Sequence, residues 1–551
     1  MSAVSALPDG WKEPDLAASG SLAWRSLRAL RRRTLERFLD DCDHPGAAQR
    51  AAFERVLDAS TGTTFASHHD LAAVRTLADY RAAVPIIAAA DHEPWLRRAL
   101  SGGPGVLTRH PHLAFNRTSG TTGAPKDLPV TAPWAHAVGE AQAVWVAAMI
   151  AEQPELAVFG ARALTTVGRW REGRTASGVP IGSNTGRMHR AQPWWVKLRY
   201  AVPESVFGIP ELDVRTYVLL RLALAVDVRS WTTANPSTIL AICRAAVRWQ
   251  EELARDLRDG TLRAGPAAEL GSRMRSRLRP WVWRRRDLPD DPRPGAFWAN
   301  LACVNCWKGG SAPFFLERLP DALGADVPIR EVGVSASEGH LAVPLHSSWW
   351  GGVMHVGGHL IELLPEDGDE AVLPHEAEVG RTYRPILSTT AGLYRYDLGD
   401  RLRVEGLYRR TPVVRFVGKT ADVVSLTGEK VTAEQIALAA SRSLRGWVHG
   451  VSVLPHQEEM PWLEVLVEGE LQGGEAERFE FALQALNGEY QSKRHTARYA
   501  PARVSALPEG TYARWRASRA AQGVADGQVK DPVIVDEALG ERLKAGFGEE
   551  L

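Results

Sequence analysis

The chain has 551 residues, 45% hydrophobic and 24% charged, with a formal net charge of +1. That length predicts two to four domains of about 150 residues in a soluble globular protein, and the balanced charge excludes a global basic field for nucleic acid, so anion recognition must be local. Four cysteines, Cys42, Cys243, Cys303 and Cys306, are too few for a disulfide framework and fit a reducing cytoplasm, and "CVNC" has no second pair at zinc spacing.

The N-terminal "MSAVSALPDGWKEPD" lacks a basic stretch followed by an apolar one, so no signal peptide is expected. No apolar run reaches the ~18 residues of a membrane-spanning helix; "YVLLRLALAV" (217–226) is cut by Arg221. The expected location is cytoplasmic, with no membrane insertion. The arginine run "RSLRALRRR" (25–33) reads as the solvated face of an amphipathic helix with Leu27, Leu30 and Leu35 turned to the core.

The first 270 residues read as mostly helical, broken by Gly/Pro loops. Thr131 is a helix cap with Pro133 in the first turn, and Trp134, Val138, Ala141, Trp145 and Met149 recur at helical spacing, a stripe for a core or a pocket wall. From about residue 329 the texture changes: "REVGVSA", "HLIELLP" and "TYRPILSTT" read as strands between turns. Beyond 416 a smaller unit follows. "TAEQ" (432–435) is a capping box ahead of a helix, "VHGVSVLP" and "WLEVLVEG" are strands, and Phe479, Leu483, Leu486 and Tyr490 mark one more helix. The expected architecture is mixed α/β: a large N-terminal body (1–416) of sheets flanked by helices, and a small C-terminal α+β domain (417–551). The cleft between them is the place for a ligand.

Four segments carry chemistry. "TSGTTGAPK" packs Thr118, Ser119, Gly120, Thr121, Thr122 and Gly123 ahead of Lys126. It is not a Walker A loop. Its glycines nevertheless let backbone approach phosphate, successive N–H groups form an anion nest, and the lysine adds charge. "SASEG" sets Ser337 beside Glu338, a hydroxyl and a carboxylate suited to a phosphate with its Mg²⁺. "AGLYRYDLGD" ends on Asp400, an acceptor for a ribose diol. "GQVKDP" presents Lys530 in a loop fixed by Gly527 and Pro532.

In this order the four segments resemble the adenylate-forming (firefly luciferase-like) superfamily. Within it the chain most resembles the Gretchen Hagen family of acyl acid amido synthetases, with support from "TTAGLYRYDLGDRLRVEG", "FVGKTADVVSLTGEKVTAEQ" and the long C-terminal stretch ending "GQVKDP". The resemblance implies an ATP- and Mg²⁺-dependent ligase that joins a carboxylic acid to an amino acid or other amine through an acyl-adenylate. It implies a phosphate loop at 118–123 supported by Lys126, an α-phosphate contact at Ser337 and Mg²⁺ on Glu338. It further implies ribose on Asp400, a nucleotide contact from Lys430, a mobile catalytic Lys530 and a hinge at 419–422. Two positions depart from the pattern. Val334 stands where a tyrosine would stack on adenine, and the loop follows a compact T-T-G-x-P-K spacing rather than the longer plant type. A thiol-accepting acyl-CoA or carrier-protein ligase, and a non-catalytic nucleotide-binding protein, are the alternatives. The pairs Trp194–Trp195 and Trp349–Trp350 are candidates for an apolar acyl pocket.

Overall fold

A computed structural model describes residues 7–14, 16, 22–118, 126–157, 160–521 and 529–547, with backbone only at 22–31 and 520–521. Ser119, Gly120, Thr121, Thr122 and Gly123 lie outside the described residues, as do the side chains of Leu27 and Leu30.

The arginine run lies on helix α1 (Leu22–Asp43), where Leu35 is buried. Strands β1 (Ala114–Arg117) and β2 (Asp127–Val130) pair antiparallel and flank the glycine-rich loop. The Thr131 hydroxyl accepts the Trp134 N–H at 3.4 Å and starts α2 (Ala132–Glu152) with Pro133 in its first turn. The apolar stripe on this helix divides. Trp134, Val138, Ala141 and Met149 are core, whereas Trp145 faces a cavity.

Next come β3 (Arg162–Thr165), α3 (Asn184–Ala191), α4 (Leu212–Ala223), β4 (Val228–Thr232), α5 (Pro236–Arg248), β5 (Cys303–Asn305) and β6 (Ile329–Arg330). The four strands form one parallel sheet in the order β3-β4-β5-β6. Arg221, which interrupts the apolar run, is fully buried on α4, and its guanidinium donates to the carbonyls of Asp256, Thr261 and Trp283. These acceptors offset much of the cost of burying the charge, although Nη1 has no hydrogen-bond partner among the described residues.

A second, antiparallel sheet follows: β7 (Val334–Ser335), β8 (His340–Val343), β9 (Gly352–Met354), β10 (Leu360–Pro365), β11 (Thr382–Ser388), β12 (Asp400–Tyr408) and β13 (Thr411–Lys419), in the order β10-β11-β12-β13-β9-β8-β7. "REVGVSA", expected as one strand, is divided between the two sheets. Arg330 closes β6 in the parallel sheet, and Val334 opens β7 in the antiparallel one. Gly333 makes the crossing with φ +97°, and a Cβ there would lie 2.4 Å from the Ala342 carbonyl oxygen. Only glycine fits such a turn.

Beyond it, α6 (Ala433–Ser443) starts with both hydrogen bonds of the Thr432–Gln435 capping box. Strands β14 (Val448–His456) and β15 (Trp462–Gly469) pair antiparallel, and β16 (Arg503–Ala506) joins β15 in parallel. The single helix expected over 479–490 is two, α7 (Glu475–Leu486) and α8 (Gly488–His495). Asn487 adopts an extended conformation between them, and its side-chain oxygen caps the second through the Tyr490 N–H at 2.9 Å. Helices α9 (Thr511–Ala521) and α10 (Glu537–Lys544) complete the unit.

One apolar core runs through both parts of the chain. Tyr217, Ile239 and Phe314 belong to it, as do Ile436, Ala440 and Val451. Each large side chain so buried contributes about 1.5–3 kcal/mol. All four cysteines are buried and unbridged. Among the described residues no helix is long and apolar enough to cross a membrane.

Candidate active site

The carboxyl ends of parallel strands gather the loops that follow them into a crevice. Here a cavity of about 670 Å³ opens where β3 to β6 end, walled by Thr165, Thr232, Trp307 and Glu331. The antiparallel sheet closes the other side through Ser337, Glu338, Asp400 and Lys419, and the C-terminal part contributes Asp422, Trp515 and Lys530.

Thr118 and Lys126 both line this space and pinch the base of the glycine-rich loop. The Thr118 N–H donates to the Lys126 carbonyl at 2.9 Å, and the Lys126 N–H donates to the Thr118 hydroxyl at 2.9 Å. Burial holds the Lys126 ammonium below its ordinary pKa, against the pull of Glu93 and Glu338.

Ser337 and Glu338 follow directly on β7. The Trp134 indole N–H holds the Glu338 carbonyl at 2.8 Å, the Asn116 amide reaches the Ser337 carbonyl at 3.4 Å, and the Ala336 N–H closes a turn on Gly339 at 2.9 Å. The backbone is thereby pinned while the side chains line the cavity. Burial, with Asp400's charge adding to it, raises the Glu338 carboxyl above its usual range. Asp400, buried at the start of β12, takes the Lys419 ammonium at 3.1 Å.

Lys530 reaches the same cavity from the far end of the chain. Its ammonium lies 4.6 Å from the Trp307 ring centre and 5.5 Å from that of Phe416. The Asn235 amide holds the Val529 carbonyl at 3.1 Å, and the Trp515 indole N–H approaches the Lys530 carbonyl at 3.4 Å. Burial lowers the pKa of this lysine, and Lys419 lowers it further against Asp400 and Asp422.

Of the expected site residues, Thr118, Lys126, Ser337, Glu338, Asp400 and Lys530 therefore share one cavity. Lys430 does not line it: the residue is exposed, and its backbone is tied to Asn487 and Glu489. Trp194 and Trp195 stand 74% and 43% exposed away from the cavity; Trp349 is core, and Trp350 lines the wall.

Sequence reading missed Glu331. Its buried carboxylate accepts the N–H groups of Lys308 (2.7 Å), Val332 (2.9 Å) and Gly333 (3.0 Å), tying the loops after β5 and β6 together. Burial pushes its pKa up to about 7 in spite of these donors. A charged residue inside "REVGVSA" was its sole sequence signal. Lys419 drew notice only as a hinge residue, and Trp307 and Phe416 drew none.

The donor set fits a phosphorylated ligand. Lys126, Lys419 and Lys530 set three cations around Glu338 and Asp400. Among the described residues no group of three or more His, Cys, Asp or Glu is placed to cage a metal alone. One or two carboxylates completed by phosphate oxygens is the usual arrangement for Mg²⁺, and Glu338 would supply the protein oxygen.

The fold is that of the adenylate-forming ligases. The chain aligns with 2-hydroxyisobutyryl-CoA ligase in complex with its acyl-AMP at a TM-score of 0.50, with 14% identity over 91% of each chain. It aligns with GH3.15 acyl acid amido synthetase at 0.81, with 16% identity over 96% of this chain and 97% of that one. The GH3 family N-terminal domain matches residues 34–329, the central domain 352–419 and the C-terminal domain 453–538. The chain belongs to the GH3 family. A relative from Oryza sativa subsp. japonica, probable indole-3-acetic acid-amido synthetase GH3.12, is 25% identical over 458 residues, 72% of this chain and 73% of its own. The family and the mixed α/β fold expected from the motifs are both borne out.

Proposed function

We propose that this protein activates a carboxylic acid with ATP and transfers the acyl group from AMP to an amino acid or other amine. The observation that carries the reading is the meeting of Lys126, Glu338, Asp400 and Lys530, four residues spread over more than 400 positions of the sequence, around one cavity. GH3 membership supports the amine as acceptor.

A carboxylate is a poor target for an amine because it is anionic and lacks a leaving group. In the first step a carboxylate oxygen attacks the α-phosphorus, the bond to the bridging oxygen breaks, and pyrophosphate leaves with the electron pair. Lys530 bridges the two anions, and Lys126 and the 118–123 backbone hold the departing phosphates. Ser337 donates to the α-phosphate, and Asp400 exchanges Lys419 for the ribose hydroxyls. Glu338 would hold Mg²⁺, which when bound would neutralise charge on the phosphate oxygens. In the second step the amine nitrogen attacks the acyl carbon, AMP departs and the nitrogen loses its proton. Lys430 faces solvent in the present arrangement, so its nucleotide contact belongs to a second placement of residues 417–551 about a hinge at 419–422.

The test is a pyrophosphate-release screen of carboxylic acids crossed with amino acids, followed by product mass. Lys530→Ala should lose acid-dependent ATP–pyrophosphate exchange by roughly 10²- to 10³-fold while still binding ATP. Full exchange in that variant removes Lys530 from the mechanism. Turnover with CoA alone in an acceptor screen makes the protein a thiol-accepting ligase instead.

A further inference from the structure

Lys530 does not meet a carboxylate within ion-pair distance among the described residues; it meets two aromatic faces. Its ammonium lies 4.6 Å from the centre of Trp307 and 5.5 Å from that of Phe416. We propose that Trp307 and Phe416 form an aromatic seat on the large body that positions Lys530 for the adenylation step. The proposal rests on the function proposed above.

The backbone that carries both rings is held from behind. Trp307 follows β5, and its N–H donates to the Ala234 carbonyl at 2.9 Å. Phe416 lies in β13 against Gly309 and Gly310. A Cβ at Gly309 would come 2.4 Å from the Phe416 carbonyl oxygen, and one at Gly310 would come 2.9 Å from its ring. The two glycines thus let the loop after β5 close onto Phe416 and set both rings around one point.

A ring face attracts an ammonium without neutralising it. A carboxylate in that place would form an ion pair that an incoming phosphate must break. The seat instead leaves the charge and the N–H donors of Lys530 available to phosphate. The charged groups that act on this ammonium, Lys419, Asp400 and Asp422, flank the cavity rather than cap the lysine. Both rings precede residue 417, whereas Lys530 lies on a stretch hydrogen-bonded to β14. The seat is therefore complete only when the two parts of the chain are docked.

The test uses the full-length protein carrying Trp307→Leu, Phe416→Leu or both, with Lys530→Ala as control and the thermal midpoint of each variant checked. The first readout needs no substrate: acylation of Lys530 by N-hydroxysuccinimidyl acetate, measured by mass spectrometry against exposed Lys430. It should rise several-fold in the leucine variants. The second is ATP–pyrophosphate exchange with the acid that gives the fastest wild-type exchange. The rate should fall about tenfold per lost face, with the KM for ATP within twofold. Amide formation from chemically synthesised acyl-adenylate should stay at the wild-type rate. Trp307→Phe, which keeps a ring face, should restore exchange, and this variant decides the matter if a leucine variant misfolds. Unchanged acylation together with unchanged exchange overturns the seat. Wild-type exchange absent with every acid overturns the functional reading instead, and the acylation readout still judges the seat.

Discussion

Replacing Glu331 with leucine tests whether the cavity wall depends on one buried carboxylate. The side chain is 5% exposed and accepts three backbone N–H groups, one from the loop after β5 and two from the crossing after β6. Leucine matches its bulk but accepts nothing, so three buried donors lose their partner. Each orphaned donor costs about 1–3 kcal/mol. The nearby Lys308 ammonium keeps the carbonyls of Ser347 (3.3 Å) and Trp349 (3.1 Å) and the Trp350 ring, 4.7 Å from its centre, but no carboxylate charge in place of Glu331. Removing one member of a buried charged cluster costs about 3–5 kcal/mol, and the two estimates agree at their lower ends, about 3 kcal/mol. For a cooperative unit of 150–250 residues that corresponds to a fall of roughly 6–12 °C in thermal midpoint. The assay is differential scanning fluorimetry at pH 8 alongside the KM for ATP, with Asp58→Asn as control. That change removes only an exposed pair with Arg109, worth at most about 1 kcal/mol. Because burial raises the folded pKa of Glu331 from 4.5 to about 7, the folded chain binds the extra proton between those values. Wild-type stability therefore falls as pH rises from 4.5 to 7, a slope that Glu331→Gln should lack. A leucine variant within 2 °C of wild type, with unaltered KM, refutes the idea that this carboxylate ties the loops.

Other consequences follow from the same geometry. Gly333→Ala should lower stability by about 2–3 kcal/mol, since φ +97° is strained for alanine and its Cβ would strike the Ala342 carbonyl; a urea titration measures it. The pH profile of kcat/KM for ATP should be bell-shaped with both limbs drawn inward. The proposed reaction needs Glu338 ionised, and its pKa is raised by burial and by Asp400; it needs Lys530 protonated, and its pKa is lowered by burial and by Lys419. Arg244→Ala should loosen the contact between α5 and the C-terminal unit. Its guanidinium bonds His449 at 2.8 Å and the Val448 carbonyl at 3.0 Å, worth about 1–3 kcal/mol, and faster hydrogen exchange at 444–450 is the readout.

The sequence was most informative where structure is local. Thr131 with Pro133, and Thr432 with Gln435, act within one helical turn, and each starts its helix where the letters place it. Lys126, Ser337, Glu338, Asp400 and Lys530, which line one cavity, are legible because each sits in a short motif of restricted residue types, two of them, Glu338 and Asp400, beside a glycine. Glu331 is different. Its partners are N–H groups, which every residue but proline carries, so no letter pattern announces that two loops converge on it. Trp307 and Phe416 read as ordinary apolar positions because their distinction is a distance to a residue more than 100 positions away. The division of "REVGVSA" between two sheets has the same origin. Its alternation suits a strand, and the crossing at Gly333 is set by the packing of β8 against it.

How Lys530 is fastened bears on how it would leave. Toward β14 the fastening is backbone and buried charge: the Val453 N–H donates to the Val533 carbonyl at 2.7 Å, the Val535 N–H returns to the Val453 carbonyl at 3.0 Å, and Arg516 holds both oxygens of Asp531 at 2.7 Å. Toward the large body it is the Asn235 amide on Val529 and the two ring faces. Breaking the first set orphans buried donors and leaves a buried Asp531 without its partner, whereas the second is one neutral hydrogen bond and a cation–π contact that phosphate can replace. At the Lys530 stretch a separation would then run through the weaker set, and Lys530 would travel with β14. In the proposed reaction that would withdraw the lysine once pyrophosphate has gone and free its side of the cavity for the amine. Asn235→Ala should therefore slow adenylation without slowing acyl transfer, whereas Arg516→Ala, which loosens the fastening toward β14, should impair both; stopped-flow measurement of the two half-reactions separates them, and equal effects in the two variants would sink the argument.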